Sequence, residues 1–148
     1  MGNISFIIPK ENIKDLTVEN IVKLITEHFR NKLKIQVELH HTGQIIVRDN
    51  NERTVCELWI RKDGCYLLTE TEESNSGSQG WWKKLNDLNL SSTEPCIGSS
   101  YGDHSLTKER SKILTFLTKH FKGYWLDEGI HPEFITYNEQ FLEKYVIK

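Results

Sequence analysis

The apolar positions change period several times along this chain. "ISFII", residues 4–8, is a short apolar run closed by Pro9, and it predicts a first strand. From Val18 the spacing turns helical. Val18, Ile21, Val22, Ile25 and Phe29 form one stripe, with Glu19, Lys23, Glu27 and Arg30 mostly away from it. Thr17 precedes the stripe, where its hydroxyl can accept an orphan amide of the first turn. At Lys34 the period drops to two. Ile35, Val37 and Leu39 alternate with Gln36, Glu38 and His40, as in a strand covered on one face. "HTGQ" can close a hairpin onto "QIIVRD", and "DNNE" turns the chain into "TVCELWIR". Asp63-Gly64 suits a tight turn into "CYLLTE". These strands, joined by short connections, read as an antiparallel meander.

The pattern then lapses. "ETEESNSGSQG" (70–80) is acidic and Ser/Gly-rich, and predicts a flexible loop. "WWKKLNDLNL" (81–90) can form a short helix with Trp81, Leu85 and Leu88 on one side. "SSTEPCIGSSYGDHS" (91–105), punctuated by Pro95, Gly98 and Gly102, reads as a second loop. A second strong helix follows over 105–123, capped by Ser105 or Thr107. Leu106, Arg110, Ile113, Leu114, Leu117 and Phe121 build its stripe. Lys119, His120 and Lys122 crowd its end, where cations suit the helix dipole, and Gly123 is the expected left-handed terminating residue. "YWLDEG" predicts a short strand. After Pro132, Thr136-x-x-Glu139 has the form of a capping box, opening a last helix with Phe141, Leu142 and Tyr145. The expected fold is a single α+β domain. An antiparallel meander of four to five strands packs against two or three helices, with Ile21, Ile25, Val37, Leu39, Leu58, Ile113 and Leu117 in its core.

Composition narrows the function. With 148 residues, 37% of them hydrophobic, the chain can bury roughly two-thirds of its unfolded surface without disulfides or metals. Its 19 basic and 21 acidic residues give a net charge of −2, which argues against a general nucleic-acid binder. Lys23, Arg30, Lys32 and Lys34 lie close in sequence, but Glu19 and Glu27 interrupt them, so they read as a mixed solvated face. Cys56, Cys65 and Cys96 are odd in number and form no CxxC pair. Cys56 and Cys65 fall in apolar strand-like runs. Buried free thiols are therefore expected, and with them a reducing, cytoplasmic compartment. The N-terminal apolar stretch is too short for a signal peptide or a membrane span.

No constellation of residues makes a convincing reaction site. His40 and His41, as neighbours on a strand, should point to opposite faces and so not share a metal. His131 and Glu133 are separated by Pro132, and no HExxH or CxxC supports a ligand set. "GSQGWWKK" lacks the phosphate-loop spacing, and the adjacent Asp127 and Glu128 face opposite sides of a strand. "CIGSSYGDHS" does hold Cys96, Ser99, Ser100, Asp103 and His104. A small hydrolase or transferase site around 96–104, completed by His131, is therefore the alternative to a non-enzymatic reading. No catalytic residue, metal or cofactor is expected on the leading reading. Trp81, Trp82, Tyr124 and Trp125 either fill the gap between meander and helices or form a recognition surface. Rimmed by Glu70, Glu72, Glu73, Asp127 and Glu128, such a surface would suit a basic protein and repel nucleic acid.

One segment carries a family resemblance. In "ILTFLTKHFKGYWLDEG", the apolar helix of Ile113, Leu114, Leu117 and Phe121 leads through Gly123 and Trp125 to a strand ending in Asp127 and Glu128. The succession resembles small bacterial immunity proteins, the cognate inhibitors of polymorphic-toxin and contact-dependent growth-inhibition systems. The resemblance covers residues 113–129 and implies a partner that is a toxin domain, blocked by occlusion. A phage or mobile-element accessory protein that binds a host protein would fit the same features.

Overall fold

The computed structural model describes residues 4–62, 95–100, 102–127 and 134–136. They form an α+β fold in which seven strands make one sheet. The strands are β1 (Ile4–Ile8), β2 (Ile35–Leu39), β3 (Ile45–Asp49), β4 (Thr54–Arg61), β5 (Cys96–Ser100), β6 (Tyr124–Asp127) and β7 (Phe134–Thr136). The helices are α1 (Val18–Phe29) and α2 (Thr107–Phe121). Strand order is β2-β3-β4-β5-β1-β6-β7, and every neighbouring pair is antiparallel.

The meander holds as far as β4 and then gives way. β3 pairs with the first part of β4, and β5 pairs with Leu58–Arg61 on the other side. The place beside β4 that a continued meander would give to 65–70 is thus taken by residues 96–100. That segment, expected to be loop, is a central strand. Gly98 gives the segment its loop-like sequence and also lets it fit. A Cβ there would lie 2.3 Å from the Trp59 indole, so the ring rests on bare backbone. The 65–70 strand, the 70–80 loop, the 81–90 helix and the helix after Thr136 lie outside the described residues. β7 adds a strand that the alternation did not reveal.

The strand registers place Ile7, Ile97, Leu58, Val47 and Val37 on one face. There they pack with Ile21, Ile25 and Phe29 of α1 and Ile113, Leu114, Leu117 and Phe121 of α2 in one core. Phe6 and Ile8, on the opposite face of β1, are buried as well. That explains why "ISFII" is apolar on both faces: β1 lies inside the sheet, between β5 and β6. Of the expected core residues, Leu39 is the exception at 46% exposed. Its parity is right, since it pairs with the buried Ile45, but it ends the edge strand.

Caps and turns explain the boundaries. Thr17 Oγ1 accepts the Asn20 amide at 3.1 Å, as the sequence predicts. The hairpin at "HTGQ" closes with Gly43 at φ 90°. Asp49 Oδ1 accepts the amides of Asn51 and Arg53 at 2.9 and 2.8 Å, shaping the β3–β4 turn. The start of the second helix differs from expectation. Its N-cap position is Leu106, with no side-chain cap from Ser105 or Thr107. Asp103 caps instead the short 3-10 turn His104–Leu106 that leads into it, its Oδ1 accepting the Ser105 amide at 2.9 Å and hydroxyl at 2.6 Å.

Candidate functional site: a basic aromatic groove between the helices

On α2, Lys112, Thr115, Phe116 and Lys119 recur at three- and four-residue spacing, on the side away from the buried stripe. The end of α1 and the turn after it bring His28, Phe29, Lys32 and Leu33 against them. The His28 ring stacks on Phe116 with centroids 4.0 Å apart and planes 13° from parallel. Phe29 meets Phe116 edge-on at 5.6 Å. These rings and Leu33 make an apolar floor, and Lys32, Lys112 and Lys119 stand exposed around it. The groove encloses about 390 Å³, the size of small ligand pockets. His28 is exposed overall, but partial desolvation, and then the charge of Lys32, lower its imidazole pKa below the ordinary value. Thr115 Oγ1 is buried at the groove without a hydrogen-bond partner among the described residues. Such a site can take an apolar or aromatic group flanked by negative charge.

Of the surface expected from the sequence, Glu70, Glu72, Glu73, Trp81, Trp82 and Glu128 lie outside the described residues. Tyr124 is half-buried, with Lys10 Nζ 5.7 Å from its ring centroid. Trp125 is only 3% exposed and belongs to the core beneath α2, so it fills space and offers no docking surface. Asp127 stands opposite Ser5 in the register of β6 on β1. The groove itself was not foreseen. In sequence Lys32 reads as part of a mixed face, and the α2 half of the groove, Lys112, Phe116 and Lys119, lies far along the chain. A faint signal existed in Phe116, an aromatic off the buried stripe of α2.

The alternative site at 96–104 is dispersed by β5. Cys96 and Ser99 are buried within the strand, while His104 lies exposed in the turn beyond it. Cys96 and Ser100 mark the two ends of that strand, about 13 Å apart at ~3.3 Å per residue. Asp103 is engaged in its cap. Ser105's hydroxyl and then its amide hold the carboxylate below its ordinary pKa. His131 lies outside the described residues. His40 and His41 also depart from expectation. They follow β2 in a turn, and their rings come within 4.0 Å instead of facing opposite ways. Among the described residues no cluster of His, Cys, Asp or Glu could hold a metal ion.

Two further polar contacts tie the frame together. His120 Nε2 lies 2.9 Å from Asp15 Oδ2, and the amides of Lys10 and Glu11 donate to the Phe121 carbonyl at 3.0 and 2.8 Å. The end of α2 with His120 is thus a helix terminus held by the loop after β1. No helix among the described residues is long and apolar enough to cross a membrane. Comparison with family models, curated proteins and solved structures gives no match.

Proposed function

We propose that this chain is a non-enzymatic protein-binding module of the immunity type, which neutralises a bacterial toxin domain by occluding it. In this reading it grips its partner through the groove between α1 and α2. The observation that carries the proposal is the ring of Lys32, Lys112 and Lys119 around the floor of Phe29, Leu33 and Phe116. The partner segment is acidic and carries an apolar side chain. Its carboxylates meet the lysines while the apolar group covers Phe116. Exposed lysine pairs contribute only about 0–1 kcal/mol each. They therefore serve orientation and encounter rate, and the buried ring contact supplies most of the affinity. The sign of this groove is opposite to that of the acidic surface expected from the sequence. The buried thiols of Cys56 and Cys96 support a reducing, cytoplasmic setting.

The test is growth rescue. The chain is co-expressed with each toxin domain encoded beside its gene, and protection is scored. Wild type should restore growth. The double variant Lys112→Glu, Lys119→Glu should lose protection while keeping its fold, because both side chains are exposed. Protection that survives this variant, but is lost on Glu72→Lys or Trp81→Ala, would move the interface to the acidic surface.

A further inference from the structure

We infer that β2 is a self-recognition edge, and that two copies of this chain join through it into one continuous antiparallel sheet. β2 ends the strand order, and among the described residues nothing pairs with its outer side. Natural edge strands are usually blunted by lysine, proline or a bulge. Within Ile35–Leu39 there is no proline, lysine or bulge. Its one charge, Glu38, lies 3.8 Å from Arg48 of the neighbouring strand.

The edge also has a knob and a hole. The knob is Leu39, which at 46% exposed is one of the two large hydrophobic side chains left in solvent among the described residues. The hole is a cleft of about 230 Å³ between α1 and β2, lined in part by Phe29, Leu33, Ile35 and Val37. A two-fold axis through Val37 sets Ile35 opposite the second copy's Leu39, and Val37 opposite itself. Residues directly opposite on antiparallel strands share a face. Each Leu39 then arrives beside the other copy's Ile35, at the mouth of the cleft, and both clefts fill by symmetry. On the other face Gln36 meets Glu38, with no like charges opposed.

Other registers fail. Moving the axis to Glu38 sets that carboxylate against its own copy. Moving it to Gln36 leaves Leu39 beyond the end of the second strand. A one-residue slip puts apolar side chains opposite polar ones.

Sedimentation equilibrium on the full chain tests the inference. A reversible dimer is expected. Leu39→Lys should weaken it by about tenfold or more. Ile13→Lys, at the other exposed hydrophobic position, should leave it unchanged. In a Cys65→Ser background, Val37→Cys should form a disulfide-linked dimer under mild oxidation, because a residue on the axis faces itself. A chain monomeric at all concentrations, a dimer indifferent to Leu39→Lys, equal weakening by Ile13→Lys, or a folded Val37→Cys that stays unlinked would each overturn it.

Discussion

Arg110, on α2, donates from Nη2 to the Oγ of Ser5, on β1, at 2.8 Å, joining residues 105 positions apart. Its Nε donates to the Ser100 carbonyl at 3.0 Å, and the side chain is 1% exposed. An arginine in the apolar stripe of a helix is thus placed to meet polar groups of the sheet below. Hydrogen bonds to charged groups contribute roughly 1.5–3 kcal/mol. Ser5→Ala should therefore lower unfolding free energy by about that amount in urea denaturation. Arg110→Ala, which removes these bonds and leaves a void, should cost about 2–5 kcal/mol. A Ser5→Ala loss under about 0.5 kcal/mol would show that the hydroxyl is dispensable to the guanidinium.

The end of α2 gives a second prediction, with opposite signs at adjacent residues. Lys122, not Gly123, takes the left-handed conformation, at φ 46°. Gly123 is required for space: a Cβ there would come 2.1 Å from the Ile8 carbonyl oxygen. Lys122→Gly should stabilise by roughly 0.5–1 kcal/mol, the left-handed penalty less glycine's entropic cost. Gly123→Ala should destabilise by about 1–3 kcal/mol, because backbone must move. Thermal melts of the two variants decide it. A destabilised Lys122→Gly would show that the lysine side chain outweighs its backbone strain.

These residues also mark how far the sequence could be read. Local pattern identified α1, α2, the strands β1 to β4 and, in "YWLDEG", β6. β5 escaped because Gly98 and the serines after it resemble a loop, and only the Trp59 ring and the buried Arg110 explain them. Gly123 is indeed special, but for the space it leaves the Ile8 carbonyl and not for a left-handed φ. The groove was the least legible feature. Lys32 and Phe116 come to line one groove through tertiary packing, and no short window of sequence contains both.

Cys56 yields a prediction on reactivity. The thiol is completely buried, and burial pushes its pKa up to about 12 despite the opposing charge of Arg110 and a hydrogen bond with Ser99. A thiol held neutral in this way is a poor nucleophile. Native Cys56 should resist iodoacetamide at pH 8 and react only as the chain unfolds, as peptide mass mapping would report. Because the folded pKa lies above the ordinary value of 9.0, folding retains a proton that the unfolded chain releases. Stability should fall as pH rises from about 9 towards 12, and Cys56→Ala should remove that part of the slope. Rapid native labelling of Cys56 would contradict the burial.

His28 links pH to both stability and binding. Burial and Lys32 depress its pKa below the ordinary 6.5, so the unfolded chain binds a proton more readily than the folded one. Its stabilising contribution is complete above that value. It declines as pH falls through 6.5 to the folded pKa, and is constant below it. His28→Gln should flatten this acid-side decline relative to wild type. Binding should show the reverse trend. An acidic segment seated among Lys32, Lys112 and Lys119 favours the imidazolium, so the His28 pKa must rise in the complex. By linkage, affinity must then increase as pH falls across the same range. NMR titration of His28 in the free and bound chain measures both values directly. A bound pKa equal to or below the free one would mean that no negative group enters the groove.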